Sequence, residues 1–181
     1  IAYKDLAPWY SHVETFIGVS GNRDGLEEAP DGEFLKPWEM NAAEASIKEK
    51  IITHFPNRTP VIGRCAHLTE VKEIHRQQGR NTCLARTRCE RGCPLGAYFS
   101  PNSSTLPWAQ KTGNLTIQTN QIVAGIIYDE KNQRASGVQT IDRHSKKRQT
   151  FTAKVIFVNA ATINSNAILL NSKSATFPNG L

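Results

Sequence analysis

The fold class is decided by residues 121–171, which read QIVAGIIYDEKNQRASGVQTIDRHSKKRQTFTAKVIFVNAATINSNAILLN. Three apolar stretches in its first part, separated by two polar turns, predict three short strands at 122–128, 137–141 and 149–153. Strands this close together, joined by polar turns, are typical of an antiparallel meander.

A buried strand and a helix are predicted after the meander. Val155–Val158 is a continuous β-branched and aromatic run, which predicts a strand buried on both faces as in a parallel sheet. Asn159–Thr162 is a small-residue turn, and 163–171 follows as a short helix. A strand, a tight turn and a helix bring backbone close to a bound nucleotide or flavin, but no G-x-G-x-x-G is present.

Upstream of the meander, the sequence is rich in helices and loops. Apolar residues at spacings of three and four predict a helix from Asp5 that stops at Gly18. A second helix is predicted from Asn41 to about His54, and a short strand is predicted at 61–62. Residues 115–119 alternate apolar and polar side chains, which predicts a further strand at the start of the meander. Helices separated in sequence from an antiparallel sheet predict an α+β fold.

Composition excludes two broad classes of protein. The 181 residues are 39% hydrophobic and 21% charged, which is a globular rather than a disordered composition. No apolar run approaches the roughly 20 residues that a membrane helix needs. The net charge of +6 is spread along the chain and does not by itself indicate nucleic-acid binding.

The cysteines offer the sharpest chemical signal. Cys83, Cys89 and Cys93 give C-x5-C-x3-C in an arginine-rich stretch, and nearby positive charge favours thiolates. Three thiolates can hold a soft metal or an iron–sulfur cluster. Zinc completed by Cys65 or His67, a disulfide, and free thiols are the alternatives that the spacing leaves open.

A different class of function is a small cysteine-rich module that binds metal or nucleic acid. The stretch from Lys72 to Arg91 carries six lysines and arginines, and clustered charge of this kind can bind phosphate. The same stretch contains no aromatic residue to stack on bases. We therefore expect no nucleic-acid partner.

Several segments, in this order, resemble the GMC-type (glucose–methanol–choline) FAD-dependent oxidoreductases, especially bacterial sugar and polyol dehydrogenases. They are DLAPWY (5–10), FLKPWEMN (34–41), RGCPLGA (91–97), GNLTI (113–117), TNQIV (119–123), residues 155–172 and FPNGL (177–181). The resemblance covers essentially the whole chain. It implies a substrate-domain portion at 1–110 and part of an FAD-binding domain at 111–181.

The resemblance also implies site residues. Val123 corresponds to the position whose main chain meets the adenine of FAD, and Ala160, Ala161 and Thr162 correspond to the turn near the flavin. The sequence departs from the family here, with Ala161 where glycine or serine is usual and Asn166 where proline is common.

On the substrate side, the resemblance implies Trp38, Met40 and Asn41 near a sugar or alcohol. The cysteine spacing resembles that of the family's iron–sulfur-bearing glucose and fructose dehydrogenases. That likeness implies a 3Fe-4S cluster on Cys83, Cys89 and Cys93 that passes electrons to a partner such as a cytochrome.

Two parts of the family's machinery have no counterpart in this sequence: the glycine-rich pyrophosphate loop and the catalytic histidine segment. We therefore assign no catalytic residue and expect an internal piece of a longer enzyme that is inactive alone. An apolar edge at 155–158 should then be exposed, with self-association as its consequence. A periplasmic, cell-envelope or cytoplasmic location is equally compatible with the sequence.

Overall fold

The computed structural model describes residues 1–87 and 89–181. The chain has an α+β architecture and divides into two compact units, Ile1–Leu115 (unit 1) and Thr116–Leu181 (unit 2). No helix in the described part of the chain is long and apolar enough to cross a membrane.

Unit 1 contains four α-helices and two short 3₁₀ segments among its described residues. The α-helices are α1 (Tyr3–Ile17), α2 (Ala42–His54), α3 (Glu73–Gln77) and α4 (Thr105–Gln110), and the 3₁₀ segments are Cys89–Arg91 and Pro101–Ser103. The two helices predicted from the sequence are confirmed, whereas the five-residue α3 and six-residue α4 are too short for a periodic signal.

The ends of the first two helices follow the local chemistry of the sequence. Gly18 ends α1 in the left-handed conformation with φ of 76°, which costs glycine little because it has no Cβ. α1 begins two residues before the predicted start, since the Asp5 carboxylate accepts a hydrogen bond from the Ala2 N–H at 2.9 Å. Asn41 caps α2 by accepting from the Ala43 and Glu44 N–H groups.

The interior of unit 1 is small and unusually polar. Three hydrophobic side chains are buried among the described residues, those of Leu35, Leu68 and Ala97, and Cys83 and Cys93 pack against them. Segments meet through single bridges rather than a sheet. Ser20 pairs with Leu35 and Cys65, and His67 pairs with Tyr98.

Unit 2 is built on the predicted meander. Strands β1 (Gln121–Asp129), β2 (Arg134–Asp142) and β3 (Arg148–Thr152) form an antiparallel sheet in the order β1-β2-β3. The register shifts between Val123 and Gly125, so Ala124 has no partner on β2. Such an extra residue is a β-bulge, which bends the strand locally.

Helix α5 (Ala161–Asn171) packs against β1 and confirms the predicted helix. The buried Ser172 hydroxyl follows it and joins the two elements. It accepts from the Ile126 N–H at 2.7 Å and donates to the Ile168 carbonyl at 2.6 Å. The end of α5 is therefore tied to the middle of β1.

Three predicted strands are wrong. Residues 61–62, 115–119 and 155–158 have no regular secondary structure. At 155–158 the segment is not buried on both faces, since Val155 is 67% exposed and Phe157 is 82% exposed. The physical reason is that a strand needs a hydrogen-bonding neighbour, and the described sheet ends at β1 and β3. The expectation of an exposed apolar edge at this segment is confirmed.

Candidate functional site

One cavity in unit 1 brings the three predicted cysteines together. Cys83, Cys89 and Cys93 all line a cavity of about 350 Å³. Its other walls combine two arginines with apolar and small side chains: Leu84, Arg86, Thr87, Arg91, Gly92, Pro94, Leu95 and Tyr98. The structure reports all four cysteines as free thiols.

Backbone hydrogen bonds set where each thiol lies. The Cys83 N–H donates to the Leu68 carbonyl at 2.8 Å, which fixes Cys83 against the buried core. Cys89 begins a 3₁₀ segment that ends at Arg91, and the Gly92 N–H closes this turn on the Cys89 carbonyl at 3.2 Å. The next turn starts at Cys93, whose carbonyl accepts from the Gly96 N–H at 3.1 Å.

Cys65 and His67 lie close to part of this cysteine group. The Cys89 Sγ and the His67 Nε2 are 3.4 Å apart. Burial raises the pKa of the Cys65 thiol, and the neighbouring Cys89 and Cys83 thiols raise that pKa further. Burial also lowers the pKa of His67. Cys65 and His67 are the two residues that the sequence suggested as a further ligand for a zinc ion.

Cys93 has a different environment from the other thiols. Burial alone would raise the pKa of its thiol, but hydrogen bonds from the backbone N–H groups of Tyr98, Leu95, Ala97 and Gly96 outweigh burial. The pKa of Cys93 is therefore lowered. Donors aimed at a sulfur favour its charged form.

The fit of these residues to a metal is incomplete. Their chemistry suits a soft metal, because thiolate and imidazole are its preferred ligands. Within residues 1–87 and 89–181, however, no group of three or more His, Cys, Asp or Glu side chains is placed so that it could hold a metal ion. The cluster on Cys83, Cys89 and Cys93 stays a prediction.

A second cavity, in unit 2, brings together two residues predicted to contact the cofactor. Val123 and Ala160 both line a cavity of about 190 Å³. The rest of its lining is largely apolar: Ile126, Val138, Ile156, Phe157, Val158, Asn159 and Ile168. Val123 is 37% exposed at the bulge of β1, and β1 is an edge strand of the described sheet.

The turn that leads into α5 contains one stabilising hydrogen bond and one left-handed residue. Ser165 Oγ accepts from the Ala160 N–H at 3.2 Å, which fixes the turn from inside the helix. Ala161 has φ of 59°, in the left-handed region that a side chain makes costly. A glycine at this position would adopt that conformation freely, so Ala161 is a costly residue here. Thr162 is exposed.

These features fit a flavin nucleotide in two respects. Small side chains at Ala160 and Ala161 let a ligand approach the backbone closely, and the bulge leaves Ala124 outside the β1–β2 register. Flat apolar walls suit an aromatic ring. The roles of Val123, Ala160, Ala161 and Thr162 stay predictions.

Trp38, Met40 and Asn41 lie in one extended segment before α2, and none of them lines either cavity. Trp38 is exposed and Met40 is half-buried. The Asn41 side-chain oxygen is occupied as the cap of α2, accepting at 3.0 Å from both Ala43 and Glu44.

The five histidines differ in their surroundings. His12, His54 and His144 are exposed. His67 lies beside Cys89, and His75 is fully buried with both ring nitrogens engaged. The buried position of His75 could not be predicted, because no signal in the sequence distinguishes a buried histidine from an exposed one.

Comparison with known proteins identifies the class to which this fold and these cavities belong. The GMC oxidoreductase family model matches residues 1–176, so the chain belongs to that family. The chain is also 26% identical over 190 aligned positions to a 2-methyl-1,2-propanediol dehydrogenase of Mycolicibacterium austroafricanum. The alignment covers all of this chain and 31% of that enzyme. No solved structure is significantly similar to the chain.

Proposed function

We propose that this chain is part of an FAD-dependent oxidoreductase that oxidises a sugar, polyol or other alcohol. Membership of the GMC oxidoreductase family carries this proposal, and the polyol dehydrogenase relative supports an alcohol substrate. The chain matches about a third of that relative's length, so the activity belongs to the whole protein. The alternative of a small metal- or nucleic-acid-binding module is not favoured.

The contribution of unit 2 in this proposal is to hold the cofactor. The cavity shared by Val123 and Ala160 presents backbone and apolar walls to the adenine or flavin ring. The Ser165 hydroxyl holds the turn in place before any ligand binds, at the cost of a left-handed Ala161. A rigid turn loses little conformational entropy on binding. When bound, the flavin supplies the redox chemistry by accepting a hydride from the substrate carbon.

The contribution of unit 1 is to bind and orient the substrate and to carry the cysteine cavity. We propose that the amide of Asn41 and the Trp38 ring lie on the substrate side. The chain offers no residue that we assign as the general base, which therefore comes from another part of the protein.

Electron transfer away from the flavin is a finer proposal. All three cysteines of C-x5-C-x3-C line one cavity beside Arg86 and Arg91, which supports a soft-metal or three-iron centre. Such a centre would pass electrons to an acceptor such as a cytochrome. Acid-labile sulfide and iron in the purified full-length protein would support it, and their absence would remove both the centre and this route.

Cofactor retention tests the proposed role of the unit 2 cavity. Ala160→Trp fills the cavity, so we expect the purified full-length protein to retain at least about tenfold less flavin per chain, measured by absorbance. Ala167→Trp is the matched control, because Ala167 is exposed on α5, the helix that follows Ala160, and does not line the cavity. Val123→Trp provides a second variant should Ala160→Trp misfold. Full flavin retention in a folded cavity variant would refute the assignment.

A further inference from the structure

The C-terminal end of α1 is held by side chains from one short segment of unit 1. The last carbonyls of a helix have no N–H partner within it and must be satisfied elsewhere. In α1 these are the carbonyls of Thr15, Phe16 and Ile17, each bonded to a buried side chain at 3.0, 3.1 and 2.8 Å. The three side chains, which we call the clamp, are respectively those of His75, Gln78 and Arg80.

The clamp also ties α1 to the rest of unit 1. Arg80 Nε donates to the Gly96 carbonyl at 2.7 Å, and its Nη1 donates to Gln78 Oε1 at 3.1 Å. Gln78 Oε1 also accepts from Ser104 Oγ at 2.9 Å. Arg80 is 2% exposed, and the described ion pairs include none to it. Its charge is balanced by carbonyl dipoles and by the neighbouring Cys93 sulfur. Any second cation nearby is unfavourable.

The hydrogen bonds of His75 define its tautomer. Its Nδ1 faces the Lys72 backbone N–H at 3.2 Å, which can only donate. Its Nε2 faces the Thr15 carbonyl at 3.0 Å, which can only accept. The ring must therefore be neutral, with the proton on Nε2 and a lone pair on Nδ1.

A proton on Nδ1 is incompatible with this arrangement. It would point an N–H at the Lys72 N–H and add a cation beside the buried Arg80 guanidinium. Burial has the largest effect and lowers the pKa of His75, and the positive charges of Arg80 and Lys72 lower it further. Two groups raise that pKa: the Thr15 carbonyl, which faces the ring from α1, and the Glu70 carboxylate. The balance of these effects is a lowered pKa.

We propose that His75 is an acid-sensitive latch: proton uptake at Nδ1 turns the ring out of the clamp and frees the C-terminal end of α1. Because the unfolded or opened state binds the extra proton, the stability that the latch contributes is present above the ordinary histidine pKa of about 6.5. It is lost as the pH falls below that value. The proposal does not rest on the proposed enzymatic activity.

Hydrogen exchange of the last turn of α1 in the full-length protein tests the latch. Between about pH 7.5 and 5.5, after correction for intrinsic exchange, we expect the protection of amides 16–19 to fall about tenfold. His75→Gln keeps a donor that can reach the Thr15 carbonyl but cannot titrate, so its protection should change less than twofold. His12→Gln, on the exposed face of the same helix, should respond like the unchanged protein.

An unchanged protection in the original protein, or the same loss in His75→Gln, would overturn the proposal. Should His75→Gln not fold, nitrogen NMR of the ring in the unchanged protein decides. The latch requires the Nε2–H tautomer of His75 near neutral pH. It also requires a His75 pKa in the folded protein that is lower than the His75 pKa in the protein unfolded by urea. An Nδ1–H tautomer or an unshifted titration would contradict it.

Discussion

Unit 1 buries charged and titratable side chains, whereas the buried polar side chains in the described part of unit 2 are the hydroxyls of Thr140 and Ser172. In unit 1, Arg80 and His75 are almost inaccessible and are held by carbonyl groups. In unit 2, Phe157 and Ile163 are 82% and 83% exposed. Both units expose large apolar side chains, since Trp9 of unit 1 is 68% exposed, so the difference lies in what each interior contains. Unit 1 holds a buried charge through backbone carbonyls, and the exposed apolar side chains of unit 2 form a surface that a larger sheet or a partner would bury.

The largest expected effect is on the clamp of unit 1. Arg80→Met leaves the Ile17 and Gly96 carbonyls buried without donors, so we expect the free energy of unfolding to fall by about 3 kcal/mol. Arg76→Met is the control, because Arg76 is an exposed residue whose Nη1 lies 3.6 Å from Glu73. Its loss should stay below about 0.5 kcal/mol. Urea denaturation measures both, and equal losses would contradict the account of unit 1.

A smaller effect is expected where α1 ends. An added Cβ at Gly18 would overlap the Cδ2 of Leu68, and φ there is 76°. Gly18→Ala should therefore lower the free energy of unfolding by about 2 kcal/mol. Gly25→Ala measures the cost of the left-handed backbone conformation without a steric clash, because Gly25 has φ of 64° and open space around it. It should cost about 1 kcal/mol. If thermal and urea unfolding gave the same loss for both variants, the packing of Leu68 against α1 would be refuted.

The smallest effect is expected in unit 2, with the opposite sign. Ala161→Gly relieves the cost of a left-handed conformation, but glycine loses more backbone entropy on folding than alanine does. We therefore expect a net rise in the free energy of unfolding of about 0.5 kcal/mol. Ala167→Gly, inside the same helix, should lower it by about 0.5–1 kcal/mol. Both changes can be followed by urea denaturation. A loss of stability in Ala161→Gly would show that the turn is not strained.

Local patterns predicted the helices α1, α2 and α5 and the three strands of unit 2, but not the short helices α3 and α4. The alternation and polar turns of residues 121–153 predicted β1, β2 and β3, and the Asn41 and Glu44 pair predicted the start of α2. Strands 115–119 and 155–158 were wrong because their patterns report a preference for burial, whereas a strand also needs a neighbouring strand.

The sequence predicted a candidate site from its own pattern only where the site residues are close together along the chain. The cysteines are close in sequence, and the structure places all three on one cavity. Val123 and Ala160 are far apart in sequence, and only the family resemblance connected them before the structure placed both on one cavity. The clamp could not be predicted, because His75, Gln78 and Arg80 gain their roles from carbonyls some sixty residues away.

An anaerobic absorption spectrum of the purified full-length protein, with iron and zinc analysis, tests the central claim most directly. The account predicts flavin bands, and about three irons per chain with broad additional absorbance would also support the cysteine centre. Flavin without iron would keep the proposed oxidoreductase and remove that centre. Zinc with no flavin would contradict the account and favour the metal-binding module instead.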